Sequence, residues 1–101
     1  MLTEVSNVWE KEGRAPEEAQ NLQLRAQLMA ELRQIIFTSG WNQAEAASRL
    51  GISQPRVSYL VTGQVSKFTL EKLLGYVSKL GYEFVIANPD GQPLVELKKA
   101  A

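Results

Sequence analysis

The chain has 101 residues, with 11 Lys and Arg, 11 Asp and Glu, and neither His nor Cys, so its formal net charge is zero. This length supports one small domain, and an apolar fraction of 45% argues against wholesale disorder. The missing Cys excludes disulfides and thiol chemistry, and the missing His removes the side chain best suited to proton transfer at neutral pH. We therefore expect a binding protein without catalytic residues, metal or cofactor.

The zero net charge conceals an uneven distribution. Residues 1–20 carry two basic and five acidic residues (−3), residues 21–82 carry seven and three (+4), and residues 83–101 carry two and three (−1). A basic centre between acidic ends favours an anionic partner for the centre. No run approaches the roughly 20 apolar residues of a membrane span, and residues 1–14 lack the features of a signal peptide. With the absent cysteines, this predicts a cytoplasmic protein with no membrane contact.

A mobile acidic arm is predicted over residues 1–16. This stretch lacks sustained periodicity and includes Gly13 and Pro16, which is typical of a flexible segment. Trp9 lies in the arm, where it either anchors a partner or packs onto its own domain.

The first long helix is predicted to begin at Pro16, because the fixed φ of proline and the two acids that follow it suit a helix start. Gly40 ends the helix after Ser39. Its apolar residues form two stripes at helical spacing: Leu22, Ala26, Met29, Leu32 and Ile36, and beside them Leu24, Leu28 and Ile35. We expect both to belong to one wide core face, the alternative being that the second stripe meets a partner.

Two short helices follow. Asn42 and Glu45 form a capping box that opens the second helix, which ends at Gly51. Ser53 caps the third helix, which runs to about residue 62, with Pro55 in its first turn, where a missing N–H costs little.

A fourth helix and a hairpin complete the prediction. Thr69 caps the helix, Phe68 is placed to pack on Leu73, and Gly81 ends it. Its buried stripe comprises Leu70, Leu73, Leu74, Val77 and Leu80. Residues 82–87 and 94–98 then alternate like strands around a turn-rich connection. The chain is thus mainly α, with four to five helices in a domain over residues 17–81 and a C-terminal β extension over residues 82–101. The edge of that short hairpin is a candidate dimerisation element.

Residues 43–63 follow the pattern of a DNA-binding helix-turn-helix. Ala47 falls where the two short helices cross, Gly51 falls where the turn needs positive φ, and the apolar residues Leu50, Ile52, Val57 and Leu60 are spaced to lock both helices to their neighbours. In this motif the first helix lies across the DNA backbone and the second enters the major groove.

The second helix of this motif supplies the candidates for reading bases. Val57, Leu60 and Val61 are expected to face inward, which leaves as base-reading candidates Gln54, Pro55, Arg56, Ser58 and Tyr59. Gln54 suits adenine or guanine, and Pro55 and Tyr59 suit a thymine methyl group. For Arg56 a guanine, a phosphate and a solvated surface charge all remain open.

Phosphate contacts are predicted around this helix. The candidates are Gln43 at the start of the first helix, Ser53, Thr62 and Lys67; for the last three, plain cap, turn or surface roles are the alternative. Arg49 is expected to pair with Glu45 at i, i+4 spacing, and Trp41 is expected to pack in the core.

Several runs resemble the Xre-type, lambda-repressor-like family. They are Asn42-Gln43-Ala44-Glu45, Leu50-Gly51-Ile52-Ser53-Gln54-Pro55-Arg56-Val57-Ser58, and Leu60 with Gly63. Within that family, Gln54-Pro55-Arg56-Val57-Ser58, Lys67-Phe68-Thr69-Leu70-Glu71, Leu80-Gly81 and, upstream, Asn21-Leu22-Gln23-Leu24-Arg25 with Leu28-Met29 resemble the HigA-like antitoxin branch. The similarity covers roughly residues 17–87.

This resemblance implies a lambda-repressor-like fold and a homodimeric autorepressor that binds double-stranded DNA at an inverted-repeat operator. It also implies a second partner, a small RNase toxin of the RelE/HigB kind. The arm at residues 1–16 matches nothing in the family pattern, and the tail after Pro89 is too generic to assign to it. Two alternatives remain: a free-standing Xre-type regulator without a toxin, and a purely protein-binding module whose helix-turn-helix is vestigial.

Overall fold

The computed structural model describes residues 16–100. It contains α1 (Pro16–Ser39), α2 (Gln43–Leu50), α3 (Gln54–Val61), a 3-10 turn (Val65–Lys67), α4 (Leu70–Lys79), β1 (Tyr82–Ala87), a second 3-10 turn (Pro89–Gly91) and β2 (Leu94–Lys99). The predicted fold class, mainly helical with a C-terminal hairpin, is confirmed. Apart from Pro16, the predicted arm with Trp9 lies outside the described residues.

The core is built around α1, which contacts α3, α4, the first 3-10 turn and β2. Leu28 and Leu32 are fully buried, and Leu24 and Ile35 are each 9% exposed, so the two predicted stripes form one wide core face. Ala26 is the exception, because it is exposed. The buried face centres on Leu28 and Leu32, and position 26 lies at its rim.

The fourth helix, α4, packs against α1 and contributes to the same core. Thr69 caps it by accepting the Lys72 backbone N–H at 3.2 Å, as predicted. Leu73 and Val77 are fully buried, and the other members of the predicted stripe are half-buried against the core. Tyr76 was not among the predicted core residues, yet it is buried. The centres of the Tyr76 and Phe68 rings are 6.1 Å apart, and the rings meet edge to face, a favourable aromatic geometry.

The hairpin packs against the same core as the helices. Its two strands are antiparallel, with Phe84 opposite Leu97 and Ile86 opposite Val95. Val95 is buried, and the Gln27 side-chain amide of α1 fastens this strand: Nε2 donates to the Pro93 carbonyl at 2.8 Å and Oε1 accepts the Val95 N–H at 2.9 Å. One face of the predicted C-terminal extension therefore shares the helical core.

Candidate nucleic-acid interface

Caps define the start of α2 and both ends of the turn between α2 and α3. At the start of α2, Asn42 Oδ1 accepts the Glu45 N–H at 2.8 Å, and Glu45 Oε1 accepts the Asn42 N–H at 3.1 Å, which completes the predicted capping box. Gly51 ends α2 with φ of +71°, a backbone conformation that penalises any side chain. Ser53 Oγ then accepts the Arg56 N–H at 3.4 Å and caps α3. These local bonds define where α2 begins and ends and where α3 begins.

The third helix is amphipathic across its short length. Val57 and Leu60 are fully buried in the core, whereas Gln54 and Pro55 are exposed. Ser58 is half-buried, and neither it nor Gln54 uses its side chain in a hydrogen bond within residues 16–100. The polar side chains of Gln54, in the first turn of α3, and Ser58, in the second, are therefore without a hydrogen bond within residues 16–100.

The Arg56 side chain forms contacts within its own domain. Its Nη2 donates to the Lys67 carbonyl at 3.0 Å, and its guanidinium carbon lies 4.7 Å from the centre of the Phe68 ring. The side chain thus joins the start of α3 to the segment that leads into α4. A base or phosphate contact by Arg56 stays a prediction, and it would be made by a side chain that already has an intramolecular role.

Tyr59 and Lys67 form a second link between the same two segments. The Lys67 ammonium lies 4.9 Å from the centre of the Tyr59 ring, a cation–π arrangement. Tyr59 is half-buried and Lys67 is exposed. The contact holds the Lys67 charge beside α3.

Arg25 anchors this segment and was missed by the sequence analysis. Its Nε donates to Asn21 Oδ1 at 2.7 Å, and its Nη1 donates to the carbonyls of Val65 at 3.1 Å and Phe68 at 3.2 Å. Only the i, i+4 spacing from Asn21 was visible in the sequence. Arg25 fixes the two ends of the turn that carries Lys67.

The other phosphate candidates differ in whether their side chains already form hydrogen bonds within the domain. Gln43 is exposed at the first position of α2. The Ser53 hydroxyl caps α3, and the Thr62 hydroxyl donates to the Ser58 carbonyl at 2.7 Å and accepts a bond from Gln64 Nε2 at 3.2 Å. The cap and turn roles weighed for Ser53 and Thr62 are therefore present. All four phosphate contacts stay predictions.

Arg49 does not form the expected pair with Glu45 within the described part of the chain. The Glu45 carboxylate bonds to the Asn42 N–H, and the Arg49 guanidinium carbon lies 4.6 Å from the centre of the Trp41 ring. The capping bond and the aromatic face each offer a better-defined contact than an exposed ion pair, which contributes little. Trp41 is half-buried and packs against the core, as predicted.

The charge of this region has one sign. From Ala46 to Leu70 the sequence holds Arg49, Arg56 and Lys67 and no Asp or Glu.

Among residues 16–100, no group of three His, Cys, Asp or Glu side chains could hold a metal ion. No helix within that range is long and apolar enough to cross a bilayer.

A capped turn between two eight-residue helices, with one helix half buried in the core and half presented outward, defines a helix-turn-helix protein. The chain belongs to the family described as "Helix-turn-helix domain", whose sequence model matches residues 14–87. Over 72 residues it is 38% identical to a Mycobacterium tuberculosis protein named "Putative antitoxin HigA3", a match that covers 71% of this chain and 64% of the relative. The chain thus spans less than two thirds of that relative's length. The resemblance to Xre-type, HigA-like proteins is confirmed.

Proposed function

We propose that the protein is a sequence-specific DNA-binding repressor that acts as a homodimer on an inverted-repeat operator. The observation that carries this proposal is the outer face of α3, where Gln54 and Pro55 are exposed and the half-buried Ser58 has no side-chain hydrogen bond within residues 16–100, while Val57 and Leu60 hold the helix in the core. A helix of this kind inserts its N-terminal residues into the major groove. A basic stretch without acids supports approach to phosphates.

A dimer is part of the proposal because one domain offers few charges. Residues 21–82 carry seven basic and three acidic residues, a net charge of +4. Two copies double the phosphate contacts and set two α3 helices against two half-sites. The two-fold symmetry of the protein would then match that of the operator.

Within this mode we assign Gln54, Pro55, Ser58 and Tyr59 to the bases and Lys67 and Gln43 to the phosphates. Arg56, which is bonded to the Lys67 carbonyl, is assigned to positioning Lys67, with its remaining donors directed to a phosphate. Ser53 and Thr62 contribute phosphate contacts only through groups that their cap and turn bonds leave free.

We further propose that the repressor is the antitoxin of a HigBA-type pair, neutralises a small RelE/HigB-like RNase toxin and controls its own operon. Support comes from the mycobacterial relative, which is named an antitoxin. A short basic reading frame beside this gene, whose product copurifies with this chain, is the expected finding. A gene that stands alone would favour the free-standing regulator.

Catalysis is not part of the proposed function. The full sequence has no His and no Cys. A cleft of about 400 Å³ in the described structure is lined by Arg49, Lys79, Lys99 and aromatic and aliphatic residues, without a carboxylate. Such a lining lacks the carboxylate and imidazole groups that most often act as general bases.

Two alanine variants test the assignment of roles. Gln54→Ala is expected to cost roughly 1–3 kcal/mol of operator affinity and to relax specificity at one base position. Lys67→Ala is expected to weaken binding to all sequences alike and to reduce the salt slope by about one, because it removes a phosphate contact. Fluorescence anisotropy with the upstream DNA of the gene, in a salt series, measures both.

Lys98→Ala is the matched control, because Lys98 is an exposed lysine on β2, outside the proposed interface. It is expected to leave both affinity and salt slope nearly unchanged. Equal effects of Lys67→Ala and Lys98→Ala, or no preference of the wild-type protein for the upstream DNA over a scrambled sequence, would contradict the proposal.

A further inference from the structure

The edge of the hairpin formed by β1 is open. The Ala100 N–H bonds to the Gly81 carbonyl at 2.9 Å, so the hydrogen-bonded pairs of this antiparallel ladder alternate from there: Glu83 with Lys98, and Val85 with Glu96. The backbone groups of Phe84 and Ile86 therefore point away from β2. Within residues 16–100 nothing hydrogen-bonds to them.

The opposite edge of the hairpin is closed at the start of β2. On β2 the outward groups at the beginning of the strand are the Pro93 carbonyl and the Val95 N–H, and both are taken by the Gln27 side-chain amide, at 2.8 Å and 2.9 Å. This amide occupies the place of a neighbouring strand. A further strand can therefore be added at β1 and not at the start of β2.

The side chains of the open edge are apolar. Phe84, Val85 and Ile86 are exposed by 37%, 47% and 45%. From Phe84 to Ala87 the edge has no charged residue and no proline, the devices with which monomeric proteins protect an edge strand. Glu83, at its start, lies opposite Lys98 of its own hairpin, which balances the nearest charge.

We infer that this edge binds the same edge of a second copy, so that the two β1 strands pair antiparallel about a two-fold axis through Val85 and form a four-stranded sheet. In this register the outward backbone N–H and C=O groups of Phe84 bond to those of Ile86 of the second copy. The two-fold axis repeats this pair, so there are two such pairs. Val85 lies opposite Val85 of the second copy, and Glu83 lies opposite Ala87, so no like charges face each other. Centring the axis on Phe84 would instead place each Glu83 carboxylate against the apolar side chain of Val85.

This inference rests on the proposed homodimer and supplies its interface. It is independent of DNA, since the pairing uses only β1. Its test is therefore made without DNA, and its failure leaves the proposed DNA binding standing, whereas a failure of DNA binding leaves this interface standing.

Single cysteines test the register, because the chain has none of its own. Val85→Cys places two thiols at a non-hydrogen-bonded pair, where the Cα atoms are about 4.5 Å apart, within the roughly 4.4–6.8 Å range of disulfides. Mild oxidation is expected to give a covalent dimer on a non-reducing gel. Leu94→Cys, a similarly exposed position on β2, is the control and is expected to stay monomeric. Equal cross-linking of the two variants would overturn the interface, and faster cross-linking of Phe84→Cys than of Val85→Cys would overturn the register.

A lysine at the same position gives a second, non-covalent test. Val85→Lys sets like charges directly opposite each other and is expected to raise the dimer dissociation constant at least roughly tenfold, measured by light scattering or sedimentation. Leu94→Lys is expected to leave that constant nearly unchanged. A wild-type protein that is monomeric over the same concentrations, or a Val85→Lys variant that dimerises like the wild type, would overturn the inference. If Val85→Lys does not fold, as judged by circular dichroism, the cysteine pair decides the question.

Discussion

Replacing Leu60 with Ala is expected to lower the free energy of unfolding by about 2–5 kcal/mol, because truncating a buried leucine loses its transfer free energy and leaves a cavity. Leu60 is fully buried and belongs to the same hydrophobic cluster as Met29 of α1. With Val57, it holds the proposed reading helix in the core. The total stability of a small domain is only about 5–15 kcal/mol, so this change alone brings the domain near its limit. Urea unfolding followed by circular dichroism measures the difference.

The matched control is Val61→Ala, one residue further along α3. Val61 is half-buried, so its truncation removes less apolar surface from the core and is expected to cost clearly less. A Leu60→Ala loss no larger than that of Val61→Ala would mean that α3 is not held by this contact. The slope of the urea transition is expected to stay constant, which shows that stability and not cooperativity has changed.

Replacing Arg25 with Met is expected to lower the free energy of unfolding by about 1–3 kcal/mol, because the carbonyls of Val65 and Phe68 lose their donor. Met keeps the length of the side chain and its packing, so the loss reports on the hydrogen bonds. Because these bonds fix the turn that carries Lys67, operator affinity is expected to fall as well, although Arg25 makes no DNA contact in the proposed mode. Urea unfolding and anisotropy measure the two effects on the same samples.

Arg33→Met is the control for this change. Arg33 is an exposed arginine on the same helix, and its Nη1 lies 3.4 Å from the Val61 carbonyl, a long and solvent-accessible bond. Its loss is expected to stay within about 0.5 kcal/mol. Arg25→Lys is expected to recover only part of the stability, because an ammonium does not reproduce the planar fork that reaches both carbonyls. Equal losses for Arg25→Met and Arg33→Met would show that the anchor has no special role.

The parts of the fold that were predictable from sequence are those encoded within a few residues. The capping box of Asn42 and Glu45, the caps Ser53 and Thr69 and the positive φ of Gly51 each depend on a local pattern. These short patterns gave the bounds of the helices and therefore the helix-turn-helix itself. The strand boundaries followed from the change to alternating apolar residues, and β2 extends one residue further than predicted.

The contacts that could not be predicted join residues far apart in the chain. Arg25 bonds to carbonyls 40 and 43 residues away, and Gln27 clamps a strand 66 and 68 residues away. A backbone carbonyl carries no sequence signal, so nothing in the local pattern marks its partner. The same holds for Tyr76, whose burial depends on Phe68 arriving from the preceding turn.

Within α3, the positions of some side chains could be predicted from the sequence and those of others could not. The inward and outward sides of α3 follow from helical spacing, and Val57, Leu60, Gln54 and Pro55 lie where that spacing puts them. The role of Arg56 could not be read in this way, because its donor meets the Lys67 carbonyl. A long charged side chain has several acceptors within reach, and the sequence does not rank them.

The central claim is that two α3 helices read an inverted repeat, and hydroxyl-radical footprinting on the DNA upstream of the gene tests it most directly. We expect two protected patches related by two-fold symmetry and centred about 34 Å, one helical turn, apart. A variant with Gln54 and Ser58 both replaced by Ala is expected to lose that protection at the concentration that saturates the wild type. An absence of protection relative to scrambled DNA, or an unchanged footprint with the double variant, would contradict the claim.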